Sequence, residues 1–243
     1  MQEESLKILF IINPISGGKE KIEWENQIRN YFKISPHQME FFLLTGESDE
    51  SSIAHHINSV KPDRVVTVGG DGTVKMVAEL LQDKEISMGI IPAGSANGMA
   101  KELSIPTEIF AALEVAVNGH PTAIDIIRIN DEEICIHLSD IGLNAMLVKY
   151  FESSEKRGMW GYGQAVFRVL YKKQKMYVTI KTDEGTIKRK AYMVVLANAR
   201  KYGTGGNINP EGDVTDGFFE VVIMRKINLF EILKGIMTNK PFR

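Results

Sequence analysis

A glycine-rich turn at residues 69–73, with the sequence Gly-Gly-Asp-Gly-Thr, combines the residue types that bind a phosphate group. Glycines turn tightly and let a ligand approach the backbone without a Cβ in the way. The helix predicted after the turn presents free N–H groups and the positive end of its dipole. Asp71 is suited to hold a magnesium ion or orient a hydroxyl, and Thr73 to donate to a phosphate oxygen. These residues together favour a phosphate site over an ordinary tight turn.

Two further turns of similar composition follow other predicted strands. Residues 13–18 (NPISGG) follow the first strand, and residues 92–98 (PAGSANG) follow the fourth. Each alone would be interpreted as an ordinary loop. Neither is a Walker loop, because no Gly-Lys-Ser/Thr stands at the required spacing, and no dinucleotide fingerprint opens the first helix. Three such turns at one edge of one sheet nevertheless predict a binding site at that edge.

The pattern of apolar residues in the first half predicts alternating strands and helices. Short apolar runs predict strands at 6–12, 41–44, 65–68 and 88–91, and helical spacing predicts helices at 24–32, 53–60, 74–81, 96–103 and 107–118. This order is typical of an α/β domain with a mostly parallel sheet that helices cover on both faces.

The second half lacks this alternation. Strands are predicted at 123–129, 134–138, 176–182, 186–196 and 218–224, with helices only near 164–171 and 229–236. An antiparallel β-rich domain is the expected result. We therefore expect an α/β domain over residues 1–120 and a β-rich domain over residues 121–243, incomplete at its C-terminus.

Composition excludes several classes of protein. The 243 residues carry a formal net charge of −2, which gives no overall basic field for nucleic acid. The single cysteine, Cys135, allows no intramolecular disulfide or thiolate metal cluster. The polar, acidic start does not resemble a signal peptide, and no apolar run is long enough to span a bilayer. A cytoplasmic protein is expected, and the oligomeric state stays open, a homodimer included.

The three turns, in this order, resemble those of the diacylglycerol kinase catalytic-domain family, which includes bacterial lipid kinases, sphingosine kinases and ceramide kinases. The resemblance extends to residues 203–206 (GTGG), Pro210 and residues 213–221. The Gly-Gly-Asp-Gly element alone is shared with NAD kinases and phosphofructokinases. The family implies an N-terminal domain like that of those enzymes, an antiparallel second domain and an active site in the cleft between them.

The same resemblance implies a set of ligand contacts. Asp71 takes the catalytic place, and ATP and Mg²⁺ are the expected cofactors. The nucleotide contacts would be Asn13, Pro14, Ile15, Ser16, Gly17, Thr45, Gly69, Gly70, Gly72, Thr73, Ser95 and Asn97. The family also has a magnesium site in its second domain, matched here by Asp213, Asp216 and Phe218. On spacing alone, turn chemistry before a strand is favoured for the two carboxylates.

Three positions depart from the family pattern. Lys75 and Met76 stand where the family usually has Asn-Glu, and Gly98 replaces the Asp that follows Asn97 in bacterial members. The family also carries an Asp-Gly-Glu after the helix matched by residues 229–237, which supplies carboxylates that activate the lipid hydroxyl. Either that group lies beyond Arg243, as we expect, or this member has lost it, so no residue present is assigned as the general base.

The leading hypothesis is an ATP-dependent kinase that transfers the γ-phosphoryl group to a lipid hydroxyl such as that of diacylglycerol. Such an enzyme would visit the membrane surface transiently to reach its lipid. An NAD kinase is a second hypothesis, disfavoured because its Gly-Ser-Thr-Ala-Tyr stretch is missing. A nucleotide-binding protein without kinase activity is a third, motivated by Lys75 and Met76. For the basic segment at residues 168–175, a solvated helix face is favoured over contact with anionic lipid.

Overall fold

The computed structural model describes residues 5–16, 21–47, 49–142, 174–201 and 207–226. The helices predicted near 164–171 and 229–236 lie outside these residues. The chain divides into two compact units, Met1–Ile136 and His137–Arg243. In the part of the chain that the structure describes, no helix is long and apolar enough to cross a bilayer.

The first unit alternates strands and helices as the apolar pattern predicts. Its elements are β1 (Lys7–Ile12), α1 (Lys21–Phe32), β2 (Gln38–Leu43), α2 (Asp49–Val60), β3 (Arg64–Gly69), α3 (Asp71–Leu81), β4 (Ser87–Pro92), α4 (Gly98–Glu102), α5 (Ile109–Asn118), β5 (Ile127–Ile129) and β6 (Glu133–Cys135). The predicted strand at 123–129 is shorter than expected, because only its last three residues pair, antiparallel with β6.

Four parallel strands form the central sheet in the order β2-β1-β3-β4. β1 lies in the middle, and its residues from Ile8 to Ile12 are fully buried. A continuous apolar run rich in β-branched residues suits a strand that is covered on both faces.

Helices cover both faces of this sheet. Ile8, Phe10 and Ile12 of β1 pack in one cluster with apolar residues of α1 and α5, where the Phe10 ring lies edge-on to Phe32 at a centroid distance of 5.6 Å. Leu9 and Ile11 point to the other face and pack with α2 and α3. Because side chains alternate along a strand, the apolar residues of β1 contribute in turn to the hydrophobic cores on the two faces of the sheet.

The strand order places a topological switch between β1 and β3. From β1 the chain passes to β2 on one side, and β3 pairs with β1 on the other side. The loops that leave the carboxyl ends of β1 and β3 therefore diverge and leave a crevice, the usual ligand site of open α/β sheets.

The second unit contains only strands among its described residues. These are β7 (Leu138–Gly142), β8 (Met176–Thr182), β9 (Gly185–Ala191), β10 (Met193–Ala197) and β11 (Glu220–Met224). An antiparallel sheet has the order β11-β10-β7, and β8 and β9 form a separate antiparallel pair. The predicted antiparallel β-rich character is confirmed.

Two strand predictions were wrong in the same way. Residues 186–196 form two strands, β9 and β10, which belong to different sheets and separate at Tyr192. Residues 134–138 likewise divide between β6 and β7. β9 is solvated along almost its whole length, whereas β10 is the largely buried centre of its sheet. The sequence gives no sign of this change of partner strand, because the periodicity and hydropathy of an apolar run do not indicate which strands pair.

Candidate phosphate-binding site

The turn after β3 is the start of helix α3. Gly70 is the N-cap residue, and its carbonyl accepts a hydrogen bond from the Val74 N–H at 3.0 Å. No side chain caps this helix end. The first N–H groups of a helix have no partner within it, and they carry the positive end of the helix dipole. The sequence thus positions backbone donors where an anion would be stabilised.

Asn13 connects the loop after β1 to this helix across the switch point. Its backbone N–H donates to the Val68 carbonyl at 2.9 Å, and its side-chain Nδ2 donates to Thr73 Oγ1 at 3.2 Å. Its Oδ1 accepts from the Ile15 N–H at 3.2 Å. The Asn therefore fixes its own turn and orients the buried Thr73 hydroxyl.

The glycine turns after β3 and β4 are in direct backbone contact. A Cβ built on Gly70 would lie 3.1 Å from Gly94 Cα, and one built on Gly94 would overlap Gly70 Cα. The Ala93 N–H donates to the Gly69 carbonyl at 2.9 Å beside this contact. Glycine is required at position 94, where a side chain would force the loops apart, whereas a side chain at position 70 would need only a small shift of Gly94.

Asn97 closes the second of these turns. Its Oδ1 accepts from the Gly94 N–H at 2.8 Å, and its Nδ2 donates to the Gly94 carbonyl at 2.7 Å. Its φ of 51° is left-handed, a conformation that Asn tolerates better than most residues. Asn97 thus holds Gly94 against Gly70, which is a structural reason for Asn at this position.

Asp71 contacts the start of helix α4. Its Oδ1 accepts a hydrogen bond from the Met99 N–H at 3.3 Å, and the side chain is half-buried. The carboxylate keeps its second oxygen for another donor or a cation. The predicted catalytic residue therefore also joins two helix N-termini.

A cavity of about 350 Å³ lies at the switch point. Its lining consists of Asn13, Ser16, Leu44, Gly70, Gly72, Thr73 and Met76. Polar side chains and glycine backbone form one part of the wall, and the apolar Leu44 and Met76 form the other. The volume lies at the lower end of the range for small-molecule sites.

Five of the predicted nucleotide contacts line this cavity, and the other described ones are not part of its lining. Pro14 is half-buried, Ser95 is exposed and Ile15 is 85% exposed, while Gly69 is buried beneath Thr73. Gly17 lies outside the described residues. Sequence reasoning did not anticipate Leu44 in the lining. Its position at the end of β2, on the same sheet edge, is the signal that identifies it.

Thr45 is part of a turn that Asp49 organises. Asp49 Oδ1 accepts from the Thr45 N–H and from the Thr45 hydroxyl, both at 2.9 Å, and Oδ2 accepts from the Gly46 N–H at 2.8 Å. Burial acts to raise the pKa of Asp49, but these hydrogen bonds outweigh it and leave the pKa below its ordinary value. The sequence had not singled out this carboxylate.

The two altered positions after the glycine turn have different environments. Met76 lines the cavity. Lys75 Nζ lies 2.9 Å from Glu79 Oε1 and 3.4 Å from Glu133 Oε2 on β6, and the hydrogen bond with Glu79 is the main cause of a raised Lys75 pKa. Lys75 therefore joins α3 to the β5–β6 hairpin.

In the second unit, the residues predicted for magnesium form a tight turn before β11. Asp213 Oδ1 accepts from the Thr215 hydroxyl at 2.7 Å and from its N–H at 2.9 Å, and these bonds lower the Asp213 pKa. Asp216 Oδ1 accepts from the N–H of Phe218, whose side chain is 73% exposed. Among the described residues, no group of three or more His, Cys, Asp or Glu side chains is placed to hold a metal.

A buried amide supports the base of this turn. Asn209 Nδ2 donates to the Ala197 carbonyl at 3.4 Å and to Glu220 Oε2, and the Gly212 N–H donates to the Asn209 carbonyl at 3.3 Å. These bonds connect the end of β10 to the start of β11. The Asn-Pro pair at 209–210 is a dipeptide typical of turns, although no sequence-based prediction rested on it.

Comparison with known proteins places this geometry in a family. The model of the diacylglycerol kinase catalytic domain matches residues 7–129, and that of the YegS C-terminal NAD kinase beta sandwich-like domain matches residues 140–239. The chain belongs to the diacylglycerol kinase catalytic domain family.

Individual relatives agree with this assignment. A diacylglycerol kinase of Staphylococcus saprophyticus is 30% identical over 181 residues, which are 72% of this chain and 58% of that enzyme. A probable YegS-like lipid kinase of Pectobacterium atrosepticum is 29% identical over 94% of this chain and 77% of its own length. The chain thus spans little more than half of the staphylococcal relative.

A solved structure shows the same fold. The crystal structure of a diacylglycerol kinase from Bacillus anthracis superimposes with a TM-score of 0.72 at 19% identity, over 98% of this chain and 80% of that one. The expected fold, a parallel α/β domain followed by an antiparallel β-rich domain, is therefore confirmed.

We predict that Gly94→Ala destabilises the protein by about 1–3 kcal/mol, because the new Cβ overlaps the Gly70 backbone. Thermal unfolding measures the change. Gly72→Ala is the matched control, since a Cβ there meets nothing within 4 Å. An equal loss of stability in both variants would show that the glycine contact is unimportant.

Asp49→Asn should destabilise the protein at neutral pH by about 1–2 kcal/mol, because the amide cannot accept all three hydrogen bonds. The folded-state pKa lies below the unfolded value of about 3.9, so the wild-type advantage is complete well above that pH. It is lost as the pH falls through the folded pKa. Urea unfolding of both proteins should therefore show a difference at pH 7 that shrinks towards pH 3. A constant difference would contradict the role of the charge.

Proposed function

We propose that this protein is an ATP-dependent lipid kinase that transfers the γ-phosphoryl group to a lipid hydroxyl such as that of diacylglycerol. The observation that carries the proposal is the cavity at the β1/β3 switch point, where Asn13, Thr73 and the start of α3 converge. Relatives named as diacylglycerol kinase and lipid kinase support the choice of acceptor.

Positioning and charge neutralisation would supply most of the rate enhancement, as in other phosphoryl transfers. The backbone of Gly70 and Gly72 permits close approach of phosphate oxygens, and the α3 dipole stabilises their charge. The Asn13 amide and the Thr73 hydroxyl would position the phosphate groups of the nucleotide by hydrogen bonds. Leu44 and Met76 offer an apolar wall for the rest of the nucleotide.

A magnesium ion in this protein would be held by few carboxylates, since the described residues form no cluster of three or more metal-binding side chains. Mg²⁺ is commonly held by one or two carboxylates together with waters and substrate phosphates. In the first unit, Asp71 keeps one carboxylate oxygen for such a role. A separate site in the second unit would use Asp213, whose lowered pKa favours the ionised form, with Asp216 and a Phe218 oxygen. When bound, the ion would neutralise the charge that develops on the transferred group.

The direct test supplies labelled ATP with a choice of acceptors. We expect label in phosphatidic acid when diacylglycerol is the acceptor and none in NADP when NAD is the acceptor. Labelled NADP would establish the NAD kinase alternative. ATP binding without product across a panel of lipids would favour a nucleotide-binding protein without kinase activity.

We predict that Asp71→Asn reduces kcat by on the order of 100-fold or more while the thermal midpoint stays unchanged. The Asn amide oxygen still accepts from the Met99 N–H, so the link to α4 survives and only the charge is lost. Asp71→Ala serves as the control, because it removes both the charge and the link. Full activity in Asp71→Asn would overturn the assigned role of Asp71.

A further inference from the structure

The two-stranded sheet β8–β9 has two chemically different faces. Directly paired residues of an antiparallel pair share a face. Tyr177 pairs with Lys190, Thr179 with Lys188, and Lys181 with Thr186, and all six side chains are exposed. We call this surface the lysine face. On the opposite face, Met176, Val178 and Ile180 are half-buried.

The lysine face concentrates positive charge in a chain that is acidic as a whole. It carries Lys181, Lys188 and Lys190 and no carboxylate. Residues 175–192 contain five basic residues, of which Arg189 pairs with Val178 on the opposite face, and two acidic residues, whereas the whole chain has a net charge of −2. The two acidic residues, Asp183 and Glu184, lie in the turn between the strands.

The three lysines are arranged so that none lies directly opposite another. Each is paired across the strands with a threonine or with Tyr177. Neighbours two residues apart along a strand are about 6.5 Å apart and diagonal neighbours about 7–8 Å, both within the Debye length of about 8 Å at physiological ionic strength. Their fields therefore add, while the destabilising effect of directly opposed like charges is avoided.

An exposed aromatic ring completes the surface. Tyr177 is 79% exposed, and Lys190 Nζ lies 4.7 Å from the centre of its ring. Tyrosine is enriched at the level of lipid headgroups, where the ring contacts acyl chains and the hydroxyl stays in water. Clustered lysines are attracted to anionic headgroups over the same short range.

We propose that the lysine face of β8–β9 docks the protein on an anionic phospholipid surface. The inference deepens the proposed function, on which it rests for its lipid context, by assigning one surface to membrane contact. Charge complementarity selects the partner. Nucleic acid fits less well, because the chain has no overall basic field and the face offers one aromatic ring rather than a series for stacking bases.

The test measures vesicle binding of the full chain with Lys181, Lys188 and Lys190 all changed to Gln. Cosedimentation uses vesicles of phosphatidylcholine alone and vesicles of equal parts phosphatidylcholine and phosphatidylglycerol. Each lysine near an anionic surface strengthens binding about fivefold, so the triple variant should bind the mixed vesicles on the order of 100-fold more weakly. Added salt should weaken wild-type binding.

The control variant changes Lys33, Lys61 and Lys84 to Gln, which removes the same charge from exposed positions of the first unit. It should bind like the wild type. The proposal would be overturned if both variants lost vesicle binding equally, or if the lysine-face variant bound as strongly as the wild type. It would also be overturned if the wild type bound a single-stranded oligonucleotide more tightly than mixed vesicles.

A second readout separates this proposal from the proposed function. Phosphorylation of a short-chain diacylglycerol dissolved as a monomer should be unchanged in the lysine-face variant, while phosphorylation in mixed vesicles falls. Equal loss with both substrates would overturn the docking role. If the wild type phosphorylates no acceptor, the kinase assignment is wrong. The vesicle-binding measurement then tests the docking role of the lysine face independently.

Discussion

The pairing of β1 with both β2 and β3 is the constraint on which the rest of the first unit depends. Because β1 lies between them, the loops after β1 and β3 diverge, and the crevice between those loops becomes the cavity. The hydrogen bonds from Asn13 to Val68 and Thr73 span this point. Burial of β1 on both faces secures the geometry, since moving the strand would disturb two cores at once.

The contact between Gly70 and Gly94 sets a second condition. It brings the loops after β3 and β4 to backbone distance, and Asn97 maintains it with two hydrogen bonds to Gly94. The first turn of α3 is thereby fixed relative to its neighbours before any ligand arrives. Preorganised donors of this kind are effective because they need no reorganisation when charge develops on a bound group.

Sequence patterns predicted the parts of this arrangement that depend on local chemistry. The buried strands β1 and β3, the helix α3 and the glycine turns all follow from period and residue type. Partners distant in the chain were not predictable in this way. The bond from Met99 to Asp71 joins residues 28 apart, and the division of residues 186–196 between two sheets depends on which strands pair. Residue type also gave no indication that Asp49 would organise the turn at Thr45.

The two units present positive charge in different ways, through backbone N–H groups in the first and through lysine side chains in the second. Backbone N–H groups and a helix N-terminus stabilise a bound phosphate, and the first unit supplies glycine turns and a helix start. Lys75, two residues after Thr73, is paired with Glu79 and Glu133. The lysine face is in the second unit and carries only three cations. Attraction of that size favours docking but keeps it reversible, so the proposed docking would allow the protein to return to solution. Reversible docking suits an enzyme whose proposed donor is dissolved in water while its acceptor stays in the bilayer.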